Sequence, residues 1–462
     1  MHVKALVIGG GLSGLAAAIR LARFHDGILL LEKHSRPGGL NSYYYRNNRL
    51  IETGLHAITN YAAKTDKKAP LNRLLRQLKI KRDRIGFQQQ IRSEICFQGQ
   101  ESLFFSNDFE EFLDEIQAKF HQQAQSFARL VSYIDSFNPF TRSPFLSARQ
   151  IISGYIGNPL LVDMLLCPLF YYGSSWEDDM DFKQFVIMFR SIYQEGMFRP
   201  AGTIKDLLDY LVSHLQNLGG SIRYQAGVKR ILTKNNTATG VILSSGEEIS
   251  CDFLISTIGS EETTDILGGE KKQSADRRLG FVENIFLTRS QEQDLLPSDK
   301  TCIFFNTADT FRFQKPTNYV DLTSGVICLP YNFHNRSAAD DFIEVRTTHL
   351  ANYGLWNKVS DDKTAYLSLK KETAVLSCAQ AESIIGKFSP GIIFQDSFTP
   401  LTIKRFTGKI EGAIYGSPNK VNDGDIGFDN LFLAGTDQGF LGIVGAMLSG
   451  VSMVNMHILP KI

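Results

Sequence analysis

The feature that most constrains this chain is a glycine-rich turn close to its start. Gly9, Gly11 and Gly14 have the spacing G-x-G-x-x-G, between an apolar run at residues 3–8 and an amphipathic segment at 12–24. In a strand–turn–helix unit the first glycine permits the tight turn, the second lets the backbone approach a pyrophosphate, and the third allows close packing. Amides at the helix N-terminus then face the phosphates. The pattern predicts a parallel α/β unit that binds a nucleotide.

A carboxylate follows at the distance that a ribose-binding acid requires. A second apolar strand, residues 27–31, is followed by Glu32, which comes 18 residues after Gly14. An acid near this spacing accepts hydrogen bonds from both ribose hydroxyls and disfavours a 2′-phosphate. Next comes a basic, double-glycine loop that a plain NAD domain does not need, with Lys33, Arg36, Gly38 and Gly39. This loop favours a longer cofactor such as FAD.

The far end of the chain carries a second set of nucleotide signals. Residues 431–434 form an apolar run, Gly435 opens a turn, and an apolar helix begins after Gly442. Asp437 is placed to reach the ribityl chain or the phosphates. The N-terminus of this last helix would face the flavin edge that becomes negative on reduction, where a helix dipole stabilises charge. Together the two ends predict one FAD site assembled from distant segments.

Two middle segments extend this site. Residues 202–218 predict an amphipathic helix, and strands are expected at 221–224, 227–232, 239–243 and 253–258, with a hairpin turn at Gly246. Val228 would lie beside the adenine, or would simply be a strand residue. Residues 51–56 predict a strand and turn beneath the flavin. His56 there either contacts flavin or substrate, or is a histidine bonded within a structural turn.

These patterns give a specific set of candidate residues. His56 is the catalytic candidate, and no metal site is predicted. FAD is expected to bind non-covalently, since no Cys or His lies in an attachment motif. The predicted cofactor-binding residues are Gly9, Gly11, Leu12, Ser13, Gly14, Glu32, Lys33, Arg36, Gly38, Gly39, Leu40, Gly54, Leu55, His56, Val228, Gly435, Thr436, Asp437, Gly442, Ile443 and Val444.

Composition narrows the class of protein. Of 462 residues, 43% are hydrophobic and 21% charged, and the net charge of +1 gives no reason to expect a nucleic-acid partner. Six scattered cysteines favour reduced thiols in the cytoplasm. No run of 18 or more apolar residues occurs, so no membrane span is expected. The 33 phenylalanines indicate either a Phe-rich core or an apolar ligand channel.

One stretch, residues 137–172, is both apolar and aromatic. Four prolines are expected to break it into short helices, at Pro139, Pro144, Pro159 and Pro168. It would be a helical cap that buries its own core, or the wall and mouth of a substrate channel. If it forms a channel, a weak, peripheral contact with a membrane surface is expected, because hydrophobic substrates partition into membranes.

The chain resembles the phytoene desaturase-like group within the flavin amine oxidase superfamily. The resemblance covers most of the chain and is strongest at the start through Gly39, at 52–56, at 196–256 and from Thr399 to the end. Residues 51–58 look like a retinol saturase segment. The run T-P-L-T, R-F and G-x-x-Y-G from Thr399 to Gly416 is similar to carotenoid isomerases and saturases. The run D-Q-G-F-L-G from Asp437 departs from typical carotene desaturases, which leaves the reaction direction open.

The resemblance implies an α/β fold with a Rossmann-type FAD domain built from discontinuous segments and a mixed α+β substrate domain. The expected boundaries are 1–70, 200–268 and 424–462 for the FAD domain, and 71–199 and 269–423 for the substrate domain with its helical cap. It implies an FAD-dependent oxidoreductase acting on C–C bonds of a hydrophobic polyene, by desaturation, saturation or isomerisation. Two alternatives stay open, namely a flavin amine oxidase that releases peroxide and a flavin-binding protein without turnover.

Overall fold

The computed structural model describes residues 1–141, 143–269, 278–289, 296–335 and 342–462. In chain order the strands are β1 (His2–Ile8), β2 (Ile28–Leu31), β3 (Tyr43–Arg46), β4 (Arg49–Glu52), β5 (Ile58–Thr59), β6 (Phe87–Gln89), β7 (Arg92–Phe97), β8 (Ser102–Phe105), β9 (Met197–Pro200), β10 (Ser221–Arg223), β11 (Val228–Lys234), β12 (Thr237–Leu243), β13 (Glu248–Ser256), β14 (Gly280–Arg289), β15 (Lys300–Asn306), β16 (Ser324–Cys328), β17 (Phe342–Ala351), β18 (Ile392–Phe398) and β19 (Leu431–Leu433). The α-helices are α1 (Leu12–Ala22), α2 (Pro70–Leu78), α3 (Phe109–Lys119), α4 (His121–Ser136), α5 (Ala148–Tyr155), α6 (Pro159–Gly173), α7 (Phe182–Phe189), α8 (Ile204–Asn217), α9 (Ser260–Leu267), α10 (Tyr353–Lys358), α11 (Lys363–Ile385), α12 (Pro400–Thr407) and α13 (Gly442–Met453).

The first sheet draws its strands from three separate stretches of the chain. Its parallel part has the order β10-β2-β1-β13-β19, and β12 and β11 extend it as an antiparallel edge. The long strand β13 has both β12 and β19 as neighbours on the same side. Its first residues pair with β12, and its last three pair with β19. Helices α1, α8 and α13 pack together in one buried apolar cluster against this sheet. The carboxyl ends of the parallel strands therefore meet at one edge, where open α/β sheets bind their ligands.

The elements predicted around the first glycine turn are confirmed, with small differences at their ends. Strand β1 begins at His2, and α1 ends at Ala22 rather than at residue 24. The last strand of the middle segment is longer than predicted and begins at Glu248. It starts earlier because the turn at Gly246 is tight, so residues 248–250 pair directly with residues 240–242.

A second sheet forms the other half of the molecule. Its order is β18-β14-β17-β16-β15-β7-β8, and neighbours are antiparallel except for β15 and β7. One of its faces contributes apolar side chains to the largest buried cluster, among them Phe281, Cys302, Phe304, Val326 and Cys328. The opposing side of that cluster comes from helices α3 to α7.

The aromatic stretch at 137–172 forms part of this helical cap. Two of its helices are α5 and α6, and most of α6 is buried in the shared cluster. The expectation that Pro168 breaks the stretch is wrong, because Pro168 lies inside α6, which continues to Gly173. A proline removes one helical hydrogen bond. Burial of nearly every α6 side chain from Leu161 onward compensates for that loss.

One helical stretch, Gly442–Lys461, is long and apolar enough to cross a membrane by length and composition. Of its most apolar 18 residues, 56% are buried inside the protein, and its first part packs against α1 and α2. A buried core helix meets the same criterion. All six cysteines are free thiols, and the described residues contain no cluster that could hold a metal ion.

Candidate functional site

The two glycine loops predicted at the N-terminus lie directly against each other. The amide of Gly38 donates to the carbonyl of Gly10 at 2.8 Å, and Gly11 and Gly38 form a parallel bridge. A Cβ on Gly14 would lie 1.9 Å from the carbonyl oxygen of Gly9, so helix and strand can approach only with glycine there. The structure thus brings both predicted loops to the N-terminus of α1.

Glu32 is buried at the end of β2 and faces the same loop. Its carboxylate accepts a 2.7 Å hydrogen bond from the Gly10 amide and another of 2.7 Å from the His34 amide. Each carboxylate oxygen can accept more than one bond, so capacity remains for ribose hydroxyls. Its own carbonyl accepts from the Ala226 amide, which brings the start of β11, and with it Val228, next to this acid.

The C-terminal segment meets the N-terminal loop as predicted. A Cβ on Gly435 would lie 3.9 Å from Ser13, and the Gly435 amide donates to Ser449 Oγ at 2.7 Å. A Cβ on Gly450 would lie 2.1 Å from the carbonyl of Ser13, so α13 packs closely on α1. Segments more than 400 residues apart therefore share one edge of the sheet.

This edge has features that fit FAD. The hydroxyl of Ser13 is buried and has no hydrogen-bond partner among the residues that the structure describes. A Cβ on Gly11 would meet nothing within 4 Å, which leaves open space in front of the loop. The N-terminus of α13, starting at Gly442, Ile443 and Val444, has no side-chain cap. Unused donors at two helix N-termini suit the phosphates and the flavin ring of one extended cofactor.

Other predicted residues already have protein partners in this structure. Arg36 donates to the Tyr43 carbonyl at 3.0 Å and stacks over the Tyr43 ring. The carbonyl of Leu40 accepts from Thr53 Oγ1 at 2.9 Å, which fixes the turn before Gly54. Their contact with a cofactor stays a prediction, as does that of Lys33 and Thr436.

Asp437 joins three loops at the carboxyl ends of the strands. Its carboxylate accepts from the amides of Ser260 and Ser417, both at 2.7 Å. Burial would raise the pKa of Asp437, but the nearby cations Lys409 and Lys420 and these amides hold it at about 2. The side chain is therefore an anion that fixes the loops. A direct contact with the ribityl chain stays a prediction.

His56 lies in an ion pair between the two halves of the molecule. Its Nε2 is 3.1 Å from Oε2 of Glu283 on β14, and the side chains are 14% and 12% exposed. Two residues later the chain enters β5, where Ile58 contacts the same small apolar cavity as Ile443 and Val444 of α13. His56 is thus close in sequence to the segment that packs on the N-terminus of α13.

His56 and five charged side chains near it form what we call the buried charge cluster. Arg346 donates to Glu283 at 3.0 Å and to the main-chain oxygen of Glu52 at 3.0 Å, and it also pairs with Glu344. Arg199, fully buried, pairs with the Glu52 carboxylate and donates to the carbonyls of Leu55 and His56. The members of the cluster are Glu52, His56, Arg199, Glu283, Glu344 and Arg346.

The pKa shifts in this cluster agree on its charge state. Burial by itself lowers the pKa of His56, but the Glu283 carboxylate outweighs burial and the net pKa is raised. Burial likewise raises the pKa of Glu283, yet His56 and Arg346 together bring it below its usual range. Both partners favour the imidazolium–carboxylate form.

A series of neutral groups extends from His56 into the second sheet and the cap. Cys328 of β16 is near the imidazole, and it lies directly opposite Cys302 of β15. The Tyr172 hydroxyl contacts Cys302 Sγ at 3.7 Å, and Tyr415 donates to the Tyr171 carbonyl. Burial raises the pKa of Tyr172 and of Tyr415, so both phenols stay protonated at neutral pH.

Several of these residues were not identified from the sequence. Glu283 and Arg346 lie in mostly buried strands and directly follow the apolar residues Val282 and Val345, and a charge next to such residues is a signal that could have found them. Lys409 has no comparable signal. Its Nζ is buried and without a hydrogen-bond partner in the described ranges, close to Gly259, which directly precedes α9. It is a further candidate for contact with an anionic cofactor.

Comparison with known proteins is consistent with this geometry. A family model described as flavin containing amine oxidoreductase matches residues 12–340. The chloroplastic prolycopene isomerase of Arabidopsis thaliana is 22% identical, over 97% of this chain and 81% of that protein. The 4,4'-diaponeurosporene oxygenase of Staphylococcus aureus strain USA300 is 24% identical, over 93% of each. Both belong to the carotenoid-enzyme group that the sequence motifs resemble.

A solved structure gives independent support for the fold. An oxidoreductase from Methanosarcina mazei superposes with a TM-score of 0.66 at 16% identity, covering 98% of this chain and 100% of that one. This confirms the predicted α/β fold with a Rossmann-type FAD domain and a substrate domain. The residue boundaries between the domains stay predictions.

Proposed function

This chain belongs to the flavin-containing amine oxidoreductase family, and from that premise we propose that it acts on C–C double bonds of a hydrophobic polyene. FAD, bound non-covalently, supplies the hydride chemistry of such a reaction. The reaction would be desaturation, saturation or double-bond isomerisation. Two relatives named for carotenoid chemistry match nearly the whole chain, which supports this substrate class.

The observation that carries the proposal is the apolar interior between the second sheet and the helical cap. The sheet contributes Phe281, Phe304 and Val326, and the cap contributes Phe170 and other aromatic side chains. An apolar interior of this kind would favour a hydrocarbon chain over a polar substrate, because apolar surface would be buried without leaving a polar group unpaired. The thiols and neutral phenols near His56 continue this uncharged surface.

The chain's own residues have separate roles in this proposal. The glycine loops and α1 hold the phosphates, and Glu32 holds the ribose. The N-terminus of α13 stabilises negative charge at the adjacent flavin edge. The apolar interior orients the substrate and excludes water. His56 supplies a polar group at the boundary between the cofactor side and the substrate side.

The carboxylate beside His56 is poorly suited to bind an amine substrate. An ammonium group needs a carboxylate or an aromatic cage to replace its hydration. The Glu283 carboxylate near the site is already paired with His56 and Arg346. Its charge is therefore compensated, and it offers little to a further cation.

We propose that the enzyme works in the cytoplasm and draws its substrate from a membrane surface. Two large side chains on the cap side, Phe140 and Phe145, are 65% and 42% exposed. Phe140 stacks on Phe440, which directly precedes the loop into α13. These aromatics support an apolar entry on this side.

The proposal is tested by anaerobic incubation of the FAD-loaded protein with polyenes, a saturated chain of equal length, and amines. Bleaching of the flavin by a polyene would show oxidation. Conversion of a polyene by dithionite-reduced protein would show saturation or isomerisation, which product chromatography separates. Bleaching by amines with peroxide release in air, and no change in any polyene, would replace this proposal with amine oxidation.

A further inference from the structure

The protonation of His56 can be inferred from the groups that surround it. Its imidazole faces Glu283 of β14, Cys328 of β16 and Arg346 of β17, and its carbonyl accepts from Arg199 of β9. Glu283 is the one carboxylate in ion-pair contact with the ring among the described residues. Arg346 approaches Glu283 through the other carboxylate oxygen, Oε1, at 3.0 Å. The two oxygens of Glu283 are thus divided between one arginine and His56.

The charges of the buried charge cluster balance only in one protonation state. Its carboxylates are Glu52, Glu283 and Glu344, and its permanent cations are Arg199 and Arg346. With a neutral His56 the cluster would carry an excess negative charge in the interior. With an imidazolium it is neutral. Burying an uncompensated charge is costly, so the second state is strongly favoured.

We propose that Glu283 is a positioning residue that keeps His56 as an imidazolium, and that Arg346 fixes Glu283 in the orientation this requires. The proposal deepens the proposed function, because it rests on a flavin ring lying near the N-terminus of α13. In that arrangement the imidazolium and the helix N-terminus place positive charge on the same side of the site. Both stabilise the negative charge that a flavin gains on reduction.

The first test is nuclear magnetic resonance of histidine-labelled protein, which needs no substrate. His56→Gln identifies the His56 signal among the nine histidines. In the wild type this signal should titrate above the pH of free histidine. In Glu283→Gln it should titrate at lower pH, because the ring loses the carboxylate that is in direct ion-pair contact with it. Glu283→Asp, which keeps the charge, should recover the high value.

Glu344→Gln is the matched control. Like Glu283→Gln, it removes one carboxylate that is paired with Arg346. Glu344, however, has no ion pair with His56. A much smaller change in the His56 titration is expected. The proposal is overturned if His56 titrates below free histidine in the wild type, or if Glu344→Gln lowers it as much as Glu283→Gln. FAD content and circular dichroism verify that each variant is folded.

The second test is the midpoint potential of bound FAD. Glu283→Gln should make the potential more negative at neutral pH, whereas Glu344→Gln should leave it nearly unchanged. Equal potentials in all three proteins, together with the expected titration, would show that His56 is charged but far from the flavin. That result would overturn the positioning role while leaving the proposed substrate class to the polyene assay.

Discussion

The guanidinium of Arg199 is paired with the carboxylate of Glu52 in the interior, and the arginine side chain has no exposed surface. This contact joins β9 to the end of β4, immediately before the turn that leads to His56. Glu52 also accepts from the amide of Ile204 at the start of α8. One buried ion pair therefore connects the flavin-side turn with the helix of the middle segment.

Replacing Arg199 should destabilise the protein strongly. Arg199→Met leaves the Glu52 carboxylate buried without its cation, so the free energy of unfolding should fall by about 3–5 kcal/mol. The double variant Arg199→Met with Glu52→Met should recover part of the loss. The control is Arg223→Met, which breaks an ion pair that is about 40% exposed and screened by solvent, so the loss should be much smaller. Similar losses for both single variants, measured by urea unfolding, would contradict this interpretation.

Two glycines of the first loop should respond differently to alanine. A Cβ at position 11 would have room, and the extended backbone of Gly11, at φ −71, is open to alanine. The apoprotein of Gly11→Ala should therefore keep its stability. The added methyl group enters the space in front of the loop, so FAD binding should be lost. The Cβ of Gly14→Ala would lie 1.9 Å from the carbonyl oxygen of Gly9. This overpacking should lower the free energy of unfolding by about 1–3 kcal/mol and should also abolish FAD binding. Thermal unfolding and FAD fluorescence separate the two effects. Normal FAD affinity in Gly11→Ala would place the phosphates elsewhere.

Glu32→Gln should weaken FAD binding without unfolding the domain. A carboxylate has two acceptor oxygens, and they accept from the amides of Gly10 and His34. The side-chain amide of glutamine has a single acceptor oxygen, so one of these two backbone amides loses its acceptor. The ribose also loses an anionic partner. Hydrogen bonds to charged groups contribute about 1.5–3 kcal/mol, so the dissociation constant should rise roughly 10- to 100-fold. An unchanged constant in a fluorescence titration would refute this role.

Glu195 should make stability depend on pH. Burial raises the pKa of Glu195 from 4.5 to about 7, although Asn60 donates to it at 2.8 Å. The folded protein therefore holds this proton more tightly than the unfolded chain. The stabilisation is complete below about pH 4.5 and is lost as the pH rises through 7. Glu195→Gln should flatten this part of the pH–stability curve and stabilise the protein above pH 7. Parallel curves for the two proteins would contradict the raised pKa.

The sequence predicted the fold well where local patterns and backbone chemistry coincide. Gly14 and Glu32 follow from spacing, since a close approach allows only glycine and a ribose calls for an acid. The α13 helix follows from its apolar composition. Pro168 shows the limit of such rules, because burial of α6 outweighs the proline. Asp437 was identified as important, but its present partners, Ser260 and Ser417, depend on loop positions that spacing does not encode.

The charge cluster shows why part of the site could not be predicted. His56 is separated from Glu283 by more than 200 residues, and their contact depends on how the second sheet docks against the turn after β4. No local pattern carries that information. The apolar residues on either side of Glu283 are typical of a buried strand but do not say which charge the carboxylate meets. The pairing became visible only when the register of β14 and β17 placed Arg346 beside Glu283.

The visible absorption spectrum of the purified protein, taken after incubation with FAD and gel filtration, tests most directly whether the two chain ends form a flavin site. We expect a flavin spectrum that corresponds to one FAD per chain, and release of the FAD on denaturation because the cofactor is bound non-covalently. Gly11→Ala, folded to the same extent, should remain colourless. A wild-type protein that stays colourless in excess FAD would contradict the convergence of the two chain ends on a flavin site.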